Sequence, residues 1–176
     1  MVITSKDAEK QAIMNLAYSI CAAARTAPKT RGIDHIDTAI ITGDDIQKIV
    51  CEMRKFGEEL PSPIFMRDAG NVEKCETVVL IGAKRETRGL NDFCKLCGFS
   101  DCGECVKNGA VCVFTGMDLG IALGSAVALA ADNRIDNRMM FTIGKAAASI
   151  GFLGEYNIIV GIPLSASGKS PFFDRT

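Results

Sequence analysis

The sequence predicts an α+β protein in which helices flank a mixed β-sheet. Two short runs, residues 75 to 83 and 156 to 164, are almost wholly apolar, as buried strands are. Amphipathic helical segments precede and separate them without the strict alternation of a doubly wound fold. With 176 residues and 48% hydrophobic content, the chain can close one core but not two. We therefore expect a single domain over residues 1–176, with residues 88–115 as a cysteine-rich insertion.

The first half of the chain predicts a helix, a strand, a second helix and a weak strand. Residues 5 to 26 carry apolar side chains at helical spacing, with Ser5 as a possible cap and Pro28 just beyond the end. Residues 37 to 42 form a short apolar run typical of a strand. The next segment has one apolar helix face, composed of Ile46, Ile49, Val50, Met53 and Phe56. The two prolines in residues 61 to 66 indicate at most an edge strand.

The second half predicts a buried strand, an irregular loop, two helices and a closing strand. Cys75 begins the buried strand and is expected to pack as a small core residue. Residues 88 to 115 lack sustained periodicity. Asp118 is predicted to cap a helix that ends near Ala131, and Asn137 to begin another that ends near Phe152.

Charge and length exclude several classes of function. The 20 basic and 21 acidic residues give a net charge of -1, so no overall field attracts nucleic acid or an anionic membrane. Lys6 and Lys10 interrupt the apolar run that a signal peptide needs. The most apolar helical stretch, residues 119 to 131, is too short to span a bilayer. We expect a cytoplasmic protein that binds neither nucleic acid nor membrane, and whose thiols remain reduced.

Five of the eight cysteines cluster in the irregular loop and predict a metal site. Clustered thiolates repel one another unless a cation or an iron–sulfur cluster neutralises them. Short C-x2-C steps suit an iron–sulfur cluster, most simply of the 4Fe-4S type. Structural zinc is the alternative, although its two C-x2-C pairs usually stand farther apart. The candidate ligands are Cys94, Cys97 and Cys102, with either Cys105 or Cys112 as the fourth.

Spacing and resemblance point to different fourth ligands. A second C-x2-C step favours Cys105, because it returns the thiolate within one turn of Cys102. The segment CKLCGFSDC resembles the opening of small iron–sulfur domains in anaerobic corrinoid and electron-transfer proteins, whose fourth ligand follows a short helix. That resemblance favours Cys112. The segment CKLCGFSDC, together with residues 118–144 and 161–175, resembles an uncharacterised ferredoxin-domain-containing family of archaea and anaerobic bacteria.

Three further segments resemble FMN-dependent nitroreductases in the same order along the chain. They are the alanine-rich AAARTAPKTRG, the helix DLGIALGSAVALAA and the strand with basic tail NIIVGIPLSASGKSP. The resemblance implies a helix-flanked sheet, a homodimer and FMN at the dimer interface. It implies a redox protein, either an electron carrier or a flavin-linked oxidoreductase on an unknown acceptor. The alternative is a non-enzymatic metal-binding protein.

Basic residues in two of these segments are candidates for binding a cofactor phosphate. Arg25, Lys29 and Arg31 cluster at a predicted helix end, and Lys169 lies among glycine and serine residues. We expect a bound phosphate to contact Lys169 and at least one of the other three. The alternative is that all four are ordinary solvated charges.

Overall fold

The computed structural model describes residues 1–91 and 93–172. The fold has three layers. A four-stranded sheet lies between two layers of helices. The strands are β1 (Ile36–Thr42), β2 (Thr77–Ala83), β3 (Asp136–Asn137) and β4 (Ile158–Ser165). The helices are α1 (Ser5–Thr26), α2 (Asp44–Glu59), α3 (Ile64–Val72), α4 (Cys102–Lys107), α5 (Val113–Asp132) and α6 (Phe141–Ser149), and Thr30–Gly32 forms a 3-10 turn.

The sheet has the order β1-β2-β4-β3, and each of these neighbouring pairs is antiparallel. The predicted α+β class is confirmed, and the sheet is open and antiparallel where a mixed one was expected. The reason lies in the connection between β1 and β2, where Thr42 faces Thr77. Two helices, α2 and α3, return the chain to the end of the sheet that it left. A single crossover helix would have placed β2 parallel to β1.

Alternate residues of β2 face the two helical layers, which makes this strand the centre of the molecule. Val79 and Ile81 pack with α1 and α5, whereas Val78 and Leu80 pack with α2, α3 and α6. All seven residues of β2 are buried. A strand covered on both faces must be apolar throughout, and this explains why its sequence lacks a polar alternation.

Two predicted elements in the first half of the chain need correction. The side chain of Thr4, not Ser5, accepts a hydrogen bond from the Asp7 backbone N–H and caps α1. The predicted weak strand at residues 61–66 is wrong, because Ile64–Val72 forms α3. Pro63 stands immediately before this helix, where a missing N–H costs nothing. The two prolines therefore mark a helix start.

Two predicted helix starts in the second half are also wrong. Helix α5 begins at Val113, so Asp118 lies inside it and is buried instead of capping it. Asn137 belongs to β3, and the next helix runs only from Phe141 to Ser149. From Val113 to Asp132, α5 is long and apolar enough to cross a membrane by length and composition alone. Core helices pass the same test, and one face of α5 packs against α1.

Helix α6 approaches β4 more closely than any side chain would permit. A Cβ atom at Gly144 would lie 1.7 Å from the Ile159 carbonyl oxygen, and one at Gly161 would lie 2.2 Å from Ile143 Cγ2. Both contacts are far shorter than van der Waals distance. The two glycines therefore set the spacing between this helix and the sheet.

We predict that Gly144→Ala destabilises the protein by about 2 kcal/mol or more, because α6 must move away from the backbone of β4. The measurement is the free energy of unfolding from urea titration. The matched control is Gly70→Ala in α3, where an added Cβ meets nothing within 4 Å. That change should be neutral or stabilise the helix by up to about 1 kcal/mol. Equal effects of the two substitutions would contradict the close approach.

Candidate metal centre

The five clustered cysteines line one narrow cavity between the loop after β2 and the start of α5. The lining includes Cys94, Cys97, Cys102, Cys105 and Cys112. The rest of the lining is apolar at Leu90, Phe99, Val113 and Phe114 and polar at Thr87, Arg88, Asn91, Lys95 and Asp101. Cys105 is fully buried, whereas the other four are partly exposed. The structure therefore brings together all five candidates and does not choose between Cys105 and Cys112.

Polar contacts hold the loop in place where the chain has no apolar periodicity. Asn91 Oδ1 accepts a hydrogen bond from the backbone N–H of Cys102 at 2.9 Å, which joins the start of the loop to α4. Asp101 caps α4 by accepting from Glu104 N, and Glu104 reaches back to the backbone N–H of Ser100. This reciprocal arrangement resembles a capping box. It fixes the direction in which α4 presents its cysteines.

The five thiols line one cavity but do not form a site for a single ion. No three His, Cys, Asp or Glu side chains among residues 1–91 and 93–172 are placed to hold a single metal ion. Tetrahedral zinc would require thiolates only about 3.8 Å apart, given Zn–S bonds of about 2.3 Å. Burial, together with the nearby Cys97, Cys112 and Cys102, raises the pKa of the Cys105 thiol to about 11. Such a group of thiols needs a cationic occupant to become thiolates.

A buried ion pair lies against this cavity. Arg88 also lines it, and its Nε donates to Asp118 Oδ2 at 2.9 Å, with both side chains almost completely buried. The other oxygen of Asp118 accepts from the backbone N–H and the hydroxyl of Thr30. Burial favours the neutral form of Asp118, but the hydrogen bonds from Thr30 and Arg88 outweigh it and lower the pKa. The Asp118 carboxylate is therefore ionised, and both of its oxygens accept hydrogen bonds.

The chain's single histidine lies beside the same network. His35 is buried, and its Nδ1 lies 3.0 Å from Glu86 Oε2 without good hydrogen-bond geometry. Burial lowers the pKa of His35, and the positive charge of Arg88 lowers it further. A neutral imidazole is thus favoured at this buried position.

The three basic residues near the end of α1 are occupied by contacts inside the chain. Arg25 forms ion pairs with Asp34 at 2.6 Å and Asp37 at 2.8 Å. Lys29 is largely buried and donates to the backbone carbonyls of Arg25 and Ala27. Their positive charges are used to close the turn after α1. They are not presented together to solvent as an anion site.

Arg31 and Lys169 also lie apart. Arg31 Nη1 donates to the Arg88 carbonyl at 2.9 Å and so braces the cysteine loop. Lys169 is exposed and follows β4 beyond the opposite end of the sheet, where Thr77 pairs with Leu164. Seven-residue strands separate these ends by roughly 20 Å. Within one chain, the predicted site shared by Lys169 and the three other basic residues does not form.

Sequence reasoning missed Arg88 and Asp118, as well as the lysines near the other end of the sheet. Lys6, Lys10 and Lys74 line a cleft with Ser165 and Ser167. A signal for Asp118 was present, because it is the sole charge between Val113 and Ala131 in an otherwise apolar segment. Such a charge requires a buried partner. Nothing in the sequence near Arg88 distinguished it from its solvated neighbours.

Comparison with solved structures identifies a nitroreductase-like fold. A nitroreductase with bound FMN from Desulfitobacterium hafniense matches with a TM-score of 0.60 and 15% identity, over 88% of this chain and 78% of that one. An FMN-bound nitroreductase from Bacteroides fragilis matches with a TM-score of 0.59 and 10% identity, over 96% and 81%. Nitroreductase CinD from Lactococcus lactis, solved with nicotinic acid, matches with a TM-score of 0.57 and 12% identity, over 89% and 79%.

Comparison of sequences identifies the family. An uncharacterised protein from Archaeoglobus fulgidus is 40% identical over 184 residues, covering 99% of this chain and 98% of that protein. The family model for uncharacterised proteins containing a ferredoxin domain (DUF2148) matches residues 108–175, a range that includes Cys112 but not the other four loop cysteines. A ferredoxin-domain family and a nitroreductase-like fold together indicate a redox protein. The chain belongs to this family of proteins containing a ferredoxin domain.

Proposed function

We propose that the protein carries an iron–sulfur cluster in the cysteine-lined cavity and works in electron transfer or flavin-linked oxidoreduction. The observation that carries this proposal is the convergence of five thiols on one apolar cavity. Cys94, Cys97, Cys102 and Cys112 would hold a 4Fe-4S cluster, which exchanges one electron at a time. Cys105 would then be a buried thiol outside the ligand set. Phe99 and Phe114 line the cavity and would limit the access of water to the cluster, and Asn91 fixes the loop through the backbone of Cys102.

Several features favour Cys112 as the fourth ligand. It is the residue immediately before α5, and its carbonyl accepts a hydrogen bond from Thr115 N. Ligation there would anchor the loop to a core helix. Cys105 is enclosed in α4 and fully buried. It cannot tie the loop to another element.

We predict that anaerobically prepared protein contains about four iron and four sulfide per chain and absorbs broadly near ~400 nm. Cys112→Ser should lose most of the iron, because serine oxygen is a poor replacement for a thiolate ligand. Cys105→Ser should retain it. Cys51→Ser, at an exposed position in α2, is the matched control and should retain iron fully.

Two outcomes would contradict this assignment. Loss of iron in Cys105→Ser with retention in Cys112→Ser would exchange the two roles. Stoichiometric zinc in a colourless wild-type protein would favour the alternative of a structural metal site, in which the cysteine loop is only a clip. Metal analysis and absorption spectra of the same samples separate these results.

FMN is the proposed partner cofactor, on the basis of the FMN-bound structural neighbours and a basic cleft. The cleft lies between the first half of α1 and the end of β4, near the segment that contains Lys169. Lys6, Lys10 and Lys74 face Glu9 and Glu76 there, and Lys10 pairs with Glu76 at 3.2 Å. The lysine excess and the hydroxyls of the neighbouring serines fit a phosphate group. When bound, FMN would supply the conversion between one-electron and two-electron chemistry.

We predict that Lys6→Gln weakens FMN binding about tenfold, because it removes one cation from the cleft. Quenching of FMN fluorescence measures the affinity. Arg25→Gln is the contrasting variant and should bind FMN as wild type does, because two carboxylates already neutralise Arg25. Weaker FMN binding in Arg25→Gln, with unchanged binding in Lys6→Gln, would contradict this cleft and favour the phosphate site predicted from the sequence near the end of α1.

A homodimer is proposed through the exposed face of α5. Gly116, Gly120 and Gly124 lie on that face, and an added Cβ at each would meet no atom of the described residues within 4 Å. Glycine in a helix interior costs about 1 kcal/mol relative to alanine, so three of them need a reason outside the chain. Met117 and Ile121 on the same face are 49% and 46% exposed. A second copy of α5 packed closely against this face would account for both features.

We predict that wild-type protein is dimeric at micromolar concentration and that Ile121→Asp makes it monomeric, because a buried charge would have no partner at the interface. Analytical ultracentrifugation provides the mass. Met139→Asp is the control, since Met139 is similarly exposed at 51% but lies before α6. A wild-type monomer, or dissociation by both substitutions alike, would contradict the α5 interface.

A further inference from the structure

Arg88 has one donor group that the described part of the chain leaves unpartnered. Its Nε donates to Asp118 and its Nη1 donates to the Glu86 carbonyl at 2.8 Å. Its Nη2 is buried and has no partner among the described residues. The Arg88 side chain is 0% exposed, so bulk solvent does not reach this nitrogen.

An unsatisfied donor on a buried cation is unfavourable, and arginine cannot relieve it by losing a proton. Asp118 does not serve Nη2 in this structure: its Oδ2 accepts from Nε, and its Oδ1 already accepts two hydrogen bonds from Thr30. Arg88 lines the cysteine cavity itself. A group held by the cysteines would therefore lie next to Arg88.

We propose that Arg88 Nη2 donates a hydrogen bond to a sulfur atom of the iron–sulfur cluster and raises its reduction potential. This inference rests on the function proposed above. Hydrogen bonds to cluster sulfur and nearby positive charge both favour the reduced, more negative state. Asp118 acts as a positioning residue, since it orients the guanidinium and offsets part of its charge. The chain thereby sets the potential with a group outside the ligand set.

The first test compares the reduction potentials of two variants by anaerobic EPR-monitored titration. Arg88→Lys keeps a cation for Asp118 but lacks Nη2, and we expect the ratio of reduced to oxidised cluster to fall about tenfold at a fixed poise. That ratio corresponds to 59 mV for a one-electron couple. Asp118→Asn keeps an acceptor for Thr30 but removes the counter-charge, so its potential should rise. Shifts of the reduction potential in opposite directions indicate an electrostatic role, because general disruption of the site would not be expected to shift the two variants in opposite directions.

The control is Arg54→Lys, which alters an arginine paired with Glu73 away from the cavity. It should leave the potential unchanged. Unchanged potentials in Arg88→Lys and Asp118→Asn, as expected if a buried water satisfies Nη2, would overturn the inference. Shifts of the same sign in both variants would also overturn it.

A measurement on the wild-type protein tests the hydrogen bond from Arg88 to the cluster even if a variant fails to keep its cluster. Arginine side chains are labelled with 15N, and pulsed EPR of the reduced protein detects nitrogen coupled to the cluster. We expect one guanidinium coupling. Its absence from a protein that contains the full iron complement would overturn the role of Arg88 alone. A wild-type protein without iron would overturn the proposed function and this inference together, so iron analysis distinguishes the two failures.

Discussion

The buried ion pair between Arg88 and Asp118 is the contact on which the cysteine-rich loop depends. Arg88 belongs to that loop, Asp118 to helix α5, and Thr30, which also binds Asp118, to the turn after α1. Three segments distant in sequence therefore meet at one carboxylate. Removing one partner of a buried pair typically costs about 3–5 kcal/mol, although the pair itself need not add net stability. Its contribution here is to hold the loop in one position against the core.

This pair explains how an irregular segment can be ordered without an apolar core of its own. The loop carries several exposed apolar side chains, among them Phe93 at 77% and Leu96 at 58%. Its thiols, the helix cap at Asp101 and the contact from Asn91 to Cys102 take the place of a hydrophobic face. Arg31 adds a brace through the Arg88 carbonyl. Arg31, one of the residues predicted to bind a phosphate, thus supports the cysteine loop instead.

Much of the fold was predictable because its strands and long helices carry strong periodic signals. Residues predicted as the apolar face of α2 include Ile46, Ile49 and Met53, and all three are buried. The errors concern places where two local signals compete. Prolines indicated an edge strand where they begin α3, and Asp118 resembled a helix cap although its carboxylate serves a tertiary contact. The cysteine site was predictable to the level of five candidates, since ligand spacing is local.

The sequence by itself determined the α+β class, the central buried strand, and the identity and spacing of the loop thiols, because apolar periodicity and short ligand steps are properties of neighbouring residues. Only the tertiary structure decided which charges are neutralised and which donors are left over. It separates Lys169 from Arg25 by the length of the sheet, and it buries Arg88 while its neighbours are more exposed. Electrostatic roles depend on distances between residues far apart in the chain. Those distances are set by how α1 and α5 pack on the sheet and not by any local pattern.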